Sequence, residues 1–292
     1  MWDVISHHIF LSIGLLLIGV YLALCVGYLI GHRYFVLFPT RRMDKTPDAL
    51  NYAYEDCFFA APDGTRLHGW FIPARSSAKD ERREVPLVVL FPGNEGSLSK
   101  FLDGMKSVLD AGADVFMFGY RGFSQSQVKR PSEKGLHRDA EGAWRYLTES
   151  RGVEPRRLVL YGQSLGCSIA AWAAAHFTPG ALVLEGGFTS LAHVASRYAP
   201  WLPVAVLTTE RYDTLRYVRE AACPVLIGHS LDDRAIPLGH GKRLYAAAPE
   251  PKQWIDLHGE HARALEFVPQ FAGAIVNFWR EHCTAHPYTR SG

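Results

Sequence analysis

A serine held between two glycines, Gly162-Gln163-Ser164-Leu165-Gly166, is the stretch of this chain best suited to covalent chemistry. The apolar run Arg157-Leu158-Val159-Leu160-Tyr161 leads into it and reads as a buried strand. An alanine-rich run from Cys167 to His176 leads out and reads as a helix. On so tight a strand-to-helix turn only glycine fits on either side, and the serine hydroxyl is pushed out above the sheet. The N–H of Leu165, the first of the helix, points into the same space, where it can stabilise negative charge on an oxygen. The chemistry indicated is attack by Ser164 on a carbonyl carbon. Ordinary glycine-rich turns share the five-residue pattern; the flanking strand and helix carry the reading.

A nucleophilic serine needs a base for its proton, and the base needs an acid to fix its tautomer. Around an elbow of this kind the chain order is serine, acid, histidine. The strand Pro224-Val225-Leu226-Ile227-Gly228 is followed by His229-Ser230-Leu231-Asp232-Asp233-Arg234-Ala235-Ile236-Pro237, which offers two adjacent carboxylates. After the next strand, Leu257-His258-Gly259-Glu260-His261 offers two histidines. Residue types alone leave both choices open. Glu260 reads as a cap for the helix that follows.

These residues need a scaffold, and the chain supplies one. Two β-like segments, 51–60 and 67–73, are joined by the hairpin-type turn Pro62-Asp63-Gly64-Thr65. Strand and helix then alternate: strands at 86–91, 113–120, 157–161, 181–185, 224–229 and 253–257, with helices at 97–111, 133–151 and 262–283. Such alternation implies a largely parallel sheet with helices on both faces. About 38 strandless residues separate the strands at 181–185 and 224–229, and an insert of that length beside a site is either a cap or edge packing.

Of the 292 residues, 48% are hydrophobic and 21% charged, which fits a core-forming chain. The net charge of +2 gives no electrostatic case for nucleic acid. Five cysteines, Cys25, Cys57, Cys167, Cys223 and Cys283, are too scattered for a disulfide framework or a zinc site. Residues 9–30 contain no Asp, Glu, Lys or Arg. As a helix they would extend ~33 Å, enough to cross a bilayer's hydrocarbon core. The leader before them carries no Lys or Arg, unlike a signal peptide. Residues 1–33 therefore read as a single-pass anchor, 34–50 as a juxtamembrane linker and 51–285 as the catalytic domain, with the insert at about 188–222. Arg33, Arg41, Arg42 and Lys45 follow the span whereas Asp3 precedes it, so the positive-inside bias puts the domain in the cytoplasm.

With these residues in place the chain resembles the α/β-hydrolase superfamily, and within it the membrane-anchored serine hydrolases of the serine-aminopeptidase-like and depalmitoylase-like branches. Phe91-Pro92-Gly93-Asn94-Glu95-Gly96 resembles their H-G-N-x-G loop, with Pro92 in place of the histidine. Gly119-Tyr120-Arg121-Gly122-Phe123-Ser124-Gln125-Ser126 resembles D-Y-R-G-x-G-x-S, and Glu185-Gly186-Gly187-Phe188-Thr189-Ser190 is similar to E-S-P-F-T-S. His229 to Pro237 is similar to H-G-x-x-D-x-x-V-P. The resemblance runs from residue 34 to about 280 and implies an α/β-hydrolase fold. It assigns the acid to Asp233 and the base to His261, leaving Asp232 as a loop neighbour and His258 to pack or to bond structurally. It also sets the backbone N–H of Asn94 opposite that of Leu165 as the second oxyanion donor.

The expected reaction is cleavage of a carboxylic ester or thioester of an acyl substrate, lipid-like substrates included, through an acyl-enzyme. No metal or organic cofactor enters it. Two other readings fit the same residues: a serine peptidase of the aminopeptidase-like branch, and a non-catalytic binding protein on the same fold. No site for a free peptide amine is obvious in the sequence, which favours an ester or thioester.

Overall fold

The computed structural model describes residues 2–34, 36–75 and 84–284. Eight strands form one sheet: β1 (Glu55–Ala60), β2 (Arg66–Ile72), β3 (Leu87–Phe91), β4 (Asp114–Gly119), β5 (Leu158–Gln163), β6 (Ala181–Glu185), β7 (Val225–Ser230) and β8 (Lys252–Leu257). Their spatial order is β8-β7-β6-β5-β3-β4-β2-β1. β1 and β2 pair antiparallel, as do β2 and β4, and the other neighbours are parallel. The Pro62–Thr65 turn makes the β1–β2 hairpin, with Gly64 at φ 75°.

Strand alternation divides the core in two. Val89 and Phe91 of β3 and Leu158 and Leu160 of β5 face one layer, while Val88, Leu90, Val159 and Tyr161 face the other. With both faces covered, the central strands must be apolar at every position, hence their unbroken hydrophobic runs. On the first face lie α3 (Glu133–Arg145), α4 (Gly166–His176), α7 (Thr214–Glu220) and α8 (Leu238–Ala247). On the second lie α2 (Leu98–Asp110), α9 (Ala264–Phe267) and α10 (Pro269–Cys283).

Two expected helices differ in detail. The one expected over 133–151 ends as regular α-helix at Arg145 and continues as a π-helical turn, Tyr146–Ser150. The closing helix expected over 262–283 is broken at Val268, which precedes Pro269 and takes φ −126°, ψ 76°. A residue before proline is pushed out of the helical region, and proline restarts the helix at its first position.

The parallel register sets the site. Phe91 pairs with Gly162, Gln163 with Glu185, Glu185 with Gly228, and Ser230 with Leu257. The carboxyl ends of β3, β5, β6, β7 and β8 thus share one edge, the usual place for a site in such a sheet.

The N-terminal helix α1 (Trp2–Gly31) stands outside both cores, and its most apolar stretch, within Ile5–Gly31, is not buried in the protein. It is long and apolar enough to cross a membrane. Residues 36–50, expected as a linker, are packed onto the domain. Leu37 is buried, Phe38–Pro39 pairs with Glu95–Gly96, and the Phe38 N–H donates to the Asn94 carbonyl at 2.8 Å. Lys45 pairs with Asp103 at 2.6 Å, and Arg41 donates to the Ser126 carbonyl at 3.0 Å. A chain beginning at residue 46 should therefore melt about 5–10 °C below one beginning at residue 35, since burial of Leu37 and the ties to the Asn94 loop are worth a few kcal/mol. Equal melting temperatures in a thermal denaturation series would show that these contacts contribute nothing.

Candidate active site

Ser164 sits between β5 and α4 with φ 55°, a left-handed value costly for any side chain and held here by its surroundings. The flanking glycines are required by close approach. A Cβ at Gly162 would lie 2.6 Å from Cys167 Cα, and one at Gly166 would overlap the carbonyl oxygens of Phe91 and Pro92. The Ser164 N–H donates to the Glu185 carbonyl at 2.9 Å, which ties the elbow to the neighbouring strand. Leu165 opens the first turn of α4, where backbone N–H groups have no partner within the helix.

The residues singled out in the sequence come together. His261 Nε2 lies 2.7 Å from Ser164 Oγ, and His261 Nδ1 lies 2.6 Å from Asp233 Oδ2. An ionised carboxylate can only accept, so Nδ1 carries the ring proton and Nε2 is free to take one from Ser164. The other Asp233 oxygen accepts the N–H groups of Ala235 (2.9 Å) and Ile236 (2.8 Å). Burial works to raise the Asp233 carboxyl, but the hydrogen bond and charge of His261, helped by Ile236 N–H, hold it below its usual range. His229 is fully buried and donates from Nε2 to the Ile236 carbonyl at 2.9 Å; desolvation lowers its pKa and keeps it neutral. It braces the loop that carries Asp233.

The neighbouring candidates occupy other positions. Asp232 is exposed, accepts the Gly259 N–H at 3.1 Å and lies 3.5 Å from His258 Nδ1. His258 is 71% exposed at its side chain, so it bonds at the surface and does not pack inside. Glu260 does not cap the following helix: it pairs with Arg263 at 2.8 Å, and α9 has no side-chain cap of its own. Cys167 is buried against the carbonyls of Gly162 and Glu185, and desolvation raises its thiol pKa, so it is an inert packing group.

The free N–H at the start of α9 is met by a residue that sequence reasoning had not placed in the site. Glu185, fully buried at the end of β6, accepts the Ala264 N–H at 2.6 Å and is hydrogen-bonded to Tyr161 and to Gln163. Gln163 in turn donates to the Ala262 carbonyl at 2.6 Å. His261 is thus held from behind by two side chains at the strand ends beside the elbow. Burial raises the Glu185 carboxyl, while its three donors and the charge of His261 pull it down. The signal in the sequence was a lone acid ending a wholly apolar strand. Glu185→Gln should cost about 1–3 kcal/mol of stability, because one buried donor loses its acceptor. It should also lower kcat about tenfold with KM little changed, since the imidazole is displaced and the substrate walls are not. An unaltered kcat in a folded variant would limit Glu185 to a structural role.

A cavity of about 550 Å³ opens above Ser164. Its floor holds Asn94, Ser164, Leu165 and His261, and its walls are largely apolar, with Phe188, Leu191, Val194 and Ile236 among them. The insert provides much of the roof through α5 (Leu191–Tyr198), followed by α6 (Val204–Leu207). Its far end does something else, as Tyr217 and Val218 of α7 belong to the core. The return is pinned by Glu133, whose carboxylate accepts the N–H groups of Arg211 (2.6 Å) and Tyr212 (2.8 Å). The first half of the insert thus lines the cavity, and its second half packs into the core.

The alpha/beta hydrolase fold family matches over residues 86–206. An uncharacterized protein of Mycobacterium tuberculosis is 33% identical over 227 residues, covering 78% of this chain and 79% of the relative. The alpha/beta hydrolase domain-containing protein WAV2 of Arabidopsis thaliana is 30% identical over 219 residues, covering 70% and 69%. Among solved structures, the Pyrococcus furiosus esterase Pf2001 superposes with a TM-score of 0.67 at 16% identity, over 85% of this chain and 98% of that one. That likeness is one of fold. Together with the strand order and the serine elbow, these relatives show that the chain belongs to the α/β-hydrolase superfamily.

Proposed function

We propose that the protein is a serine hydrolase that cleaves carboxylic esters or thioesters of acyl substrates at a membrane surface. The observation that carries this reading is the hydrogen-bonded chain Ser164–His261–Asp233 at the floor of an apolar cavity. As Ser164 Oγ attacks the acyl carbonyl, its proton passes to His261 Nε2 and the carbonyl oxygen becomes an oxyanion. The N–H groups of Leu165 and Asn94 are proposed to receive that charge, each such donor being worth ~3 kcal/mol. Asp233 stabilises the imidazolium. Collapse of the intermediate expels the alcohol or thiol, which takes the His261 proton and leaves the acyl group on Ser164. Water, deprotonated by His261, then releases the acid and restores the serine.

The cavity walls favour an acyl ester over a free-amine peptide, because no Asp or Glu is among the described residues that line it. Purified protein should hydrolyse a graded series of p-nitrophenyl acyl esters and acyl thioesters, and leave aminoacyl anilides intact. Cleavage of the anilides alone would replace this reading with the peptidase one. The apolar α1 is proposed as the anchor, with the basic residues after it setting the domain in the cytoplasm. Protease should then reach the domain in sealed inverted vesicles and be excluded from right-side-out ones; the opposite pattern would reverse the topology.

A further inference from the structure

The apolar helix α1 does more than leave the domain at its end. Tyr28 and His32, in its last turn and just beyond, line the cavity above Ser164, together with Val36. Both are fixed to the insert. Tyr28 Oη is 2.8 Å from Thr208 Oγ1. His32 is buried and faces the Tyr28 and Leu29 carbonyls through Nδ1, each at 3.1 Å, so Nδ1 carries its proton. Its Nε2 then accepts the Thr209 N–H at 3.3 Å. The two rings stack at 5.4 Å.

A second contact lies higher on the helix. Tyr21 Oη donates to the Trp201 carbonyl at 3.3 Å. Ten residues separate Tyr21 from the helix end at Gly31, so the insert climbs about 15 Å along α1. That is roughly half the ~30 Å hydrocarbon thickness of a bilayer. Where it climbs, the insert is apolar and uncovered: Tyr198, Trp201 and Val206 are 68%, 56% and 82% exposed. An aromatic and aliphatic surface beside a bare apolar helix has its natural solvent in lipid.

Resting on the hydrolase reading above, we propose that α1 and α5 form the two walls of an acyl-chain site that is filled from the bilayer. The occupant is the fatty acyl chain of a membrane-resident ester or thioester. It enters between α1 and α5 and delivers its carbonyl to Ser164 at the cavity floor. The volume of about 550 Å³ lies well inside the range that holds a small ligand (~300–1,000 Å³), with room for a chain and not only an acetyl group. The anchor is thereby part of the substrate site, and chain-length preference is set partly by a helix in the membrane.

The test uses the full chain in phosphatidylcholine vesicles, labelled with a hexadecyl fluorophosphonate that carries a diazirine in mid-chain. After irradiation, peptide mass spectrometry should place the cross-link on the Tyr28–His32 segment or on α5, with the phosphorus on Ser164. Phosphonylated Ser164 with cross-links only elsewhere would overturn the proposal and leave the hydrolase reading standing. Absence of phosphonylation would overturn both. As a second measurement, Ala199→Trp, which fills the cavity beside α1, should lower the ratio of hexadecanoyl to butanoyl ester kcat/KM at least tenfold. A general folding defect lowers both rates together, so an unchanged ratio would also overturn the proposal.

Discussion

Ser164→Ala should lower kcat for ester hydrolysis about 10⁶-fold, the size of loss found when the nucleophile of a serine protease triad is removed. That corresponds to about 8 kcal/mol of transition-state stabilisation. The fold should survive, because the contacts that shape the elbow are made by the backbone: Ser164 N–H to the Glu185 carbonyl, and Cys167 N–H to the Ser164 carbonyl. Alanine takes the same left-handed φ at a cost similar to that of serine. Neither Ser168 nor Ser230 is placed to replace it. Ser168 is buried within α4, and Ser230 donates its hydroxyl to the Gly259 carbonyl at 2.6 Å. Steady-state kinetics alongside a melting curve would test this, and a folded variant with more than about one per cent of wild-type activity would refute the assignment.

Asp233→Asn should cost about 10⁴ in kcat, and Asp232→Asn no more than about twofold. The two neighbours differ in what they hold. The Asp233 side chain is buried, with one oxygen on His261 Nδ1 and the other on two backbone N–H groups, whereas Asp232 is exposed and its side chain accepts a single N–H from Gly259. An amide at 233 can turn its oxygen to the backbone donors, but its NH₂ then faces the imidazole and favours the wrong tautomer. Stability carries a second signature. A carboxyl with a lowered folded-state pKa contributes stability above its unfolded value, ~3.9, which is lost as pH falls through the lower folded value. The stability gap between wild type and Asp233→Asn should therefore be full at neutral pH and shrink below about pH 4. A gap that widens in acid would contradict the direction of the shift, and a larger kinetic loss at Asp232 would move the acid by one residue.

What could be read from the sequence was whatever depends on local pattern. The unbroken apolar runs of the parallel strands, the glycine-bracketed serine and the order of acid and histidine each occupy a few adjacent residues, and each recurs in the structure where the pattern put it. The choices between Asp232 and Asp233, and between His258 and His261, came from resemblance, since residue type alone could not separate neighbours. What escaped was long-range. The bond from Ala264 N–H to Glu185, which supports the His261 loop, joins residues 79 apart, and the seating of α1 and the turn after it on the insert joins residues 177 to 180 apart. Residues 36–50 looked like a linker because their partners, Asn94, Ser99, Asp103 and Ser126, lie on other elements and leave no periodic trace. The closing helix expected over 262–283 ran through Pro269, and the break before it is set by proline's own chemistry.

The central claim is that Ser164 is a nucleophile activated by His261. Fluorophosphonate labelling of the intact chain, mapped by peptide mass spectrometry, tests it most directly. A single phosphonyl adduct on Ser164, formed in seconds to minutes and lost in both Ser164→Ala and His261→Ala, is the expected result. Adduct formation on another serine, or undiminished labelling of Ser164 in His261→Ala, would contradict it.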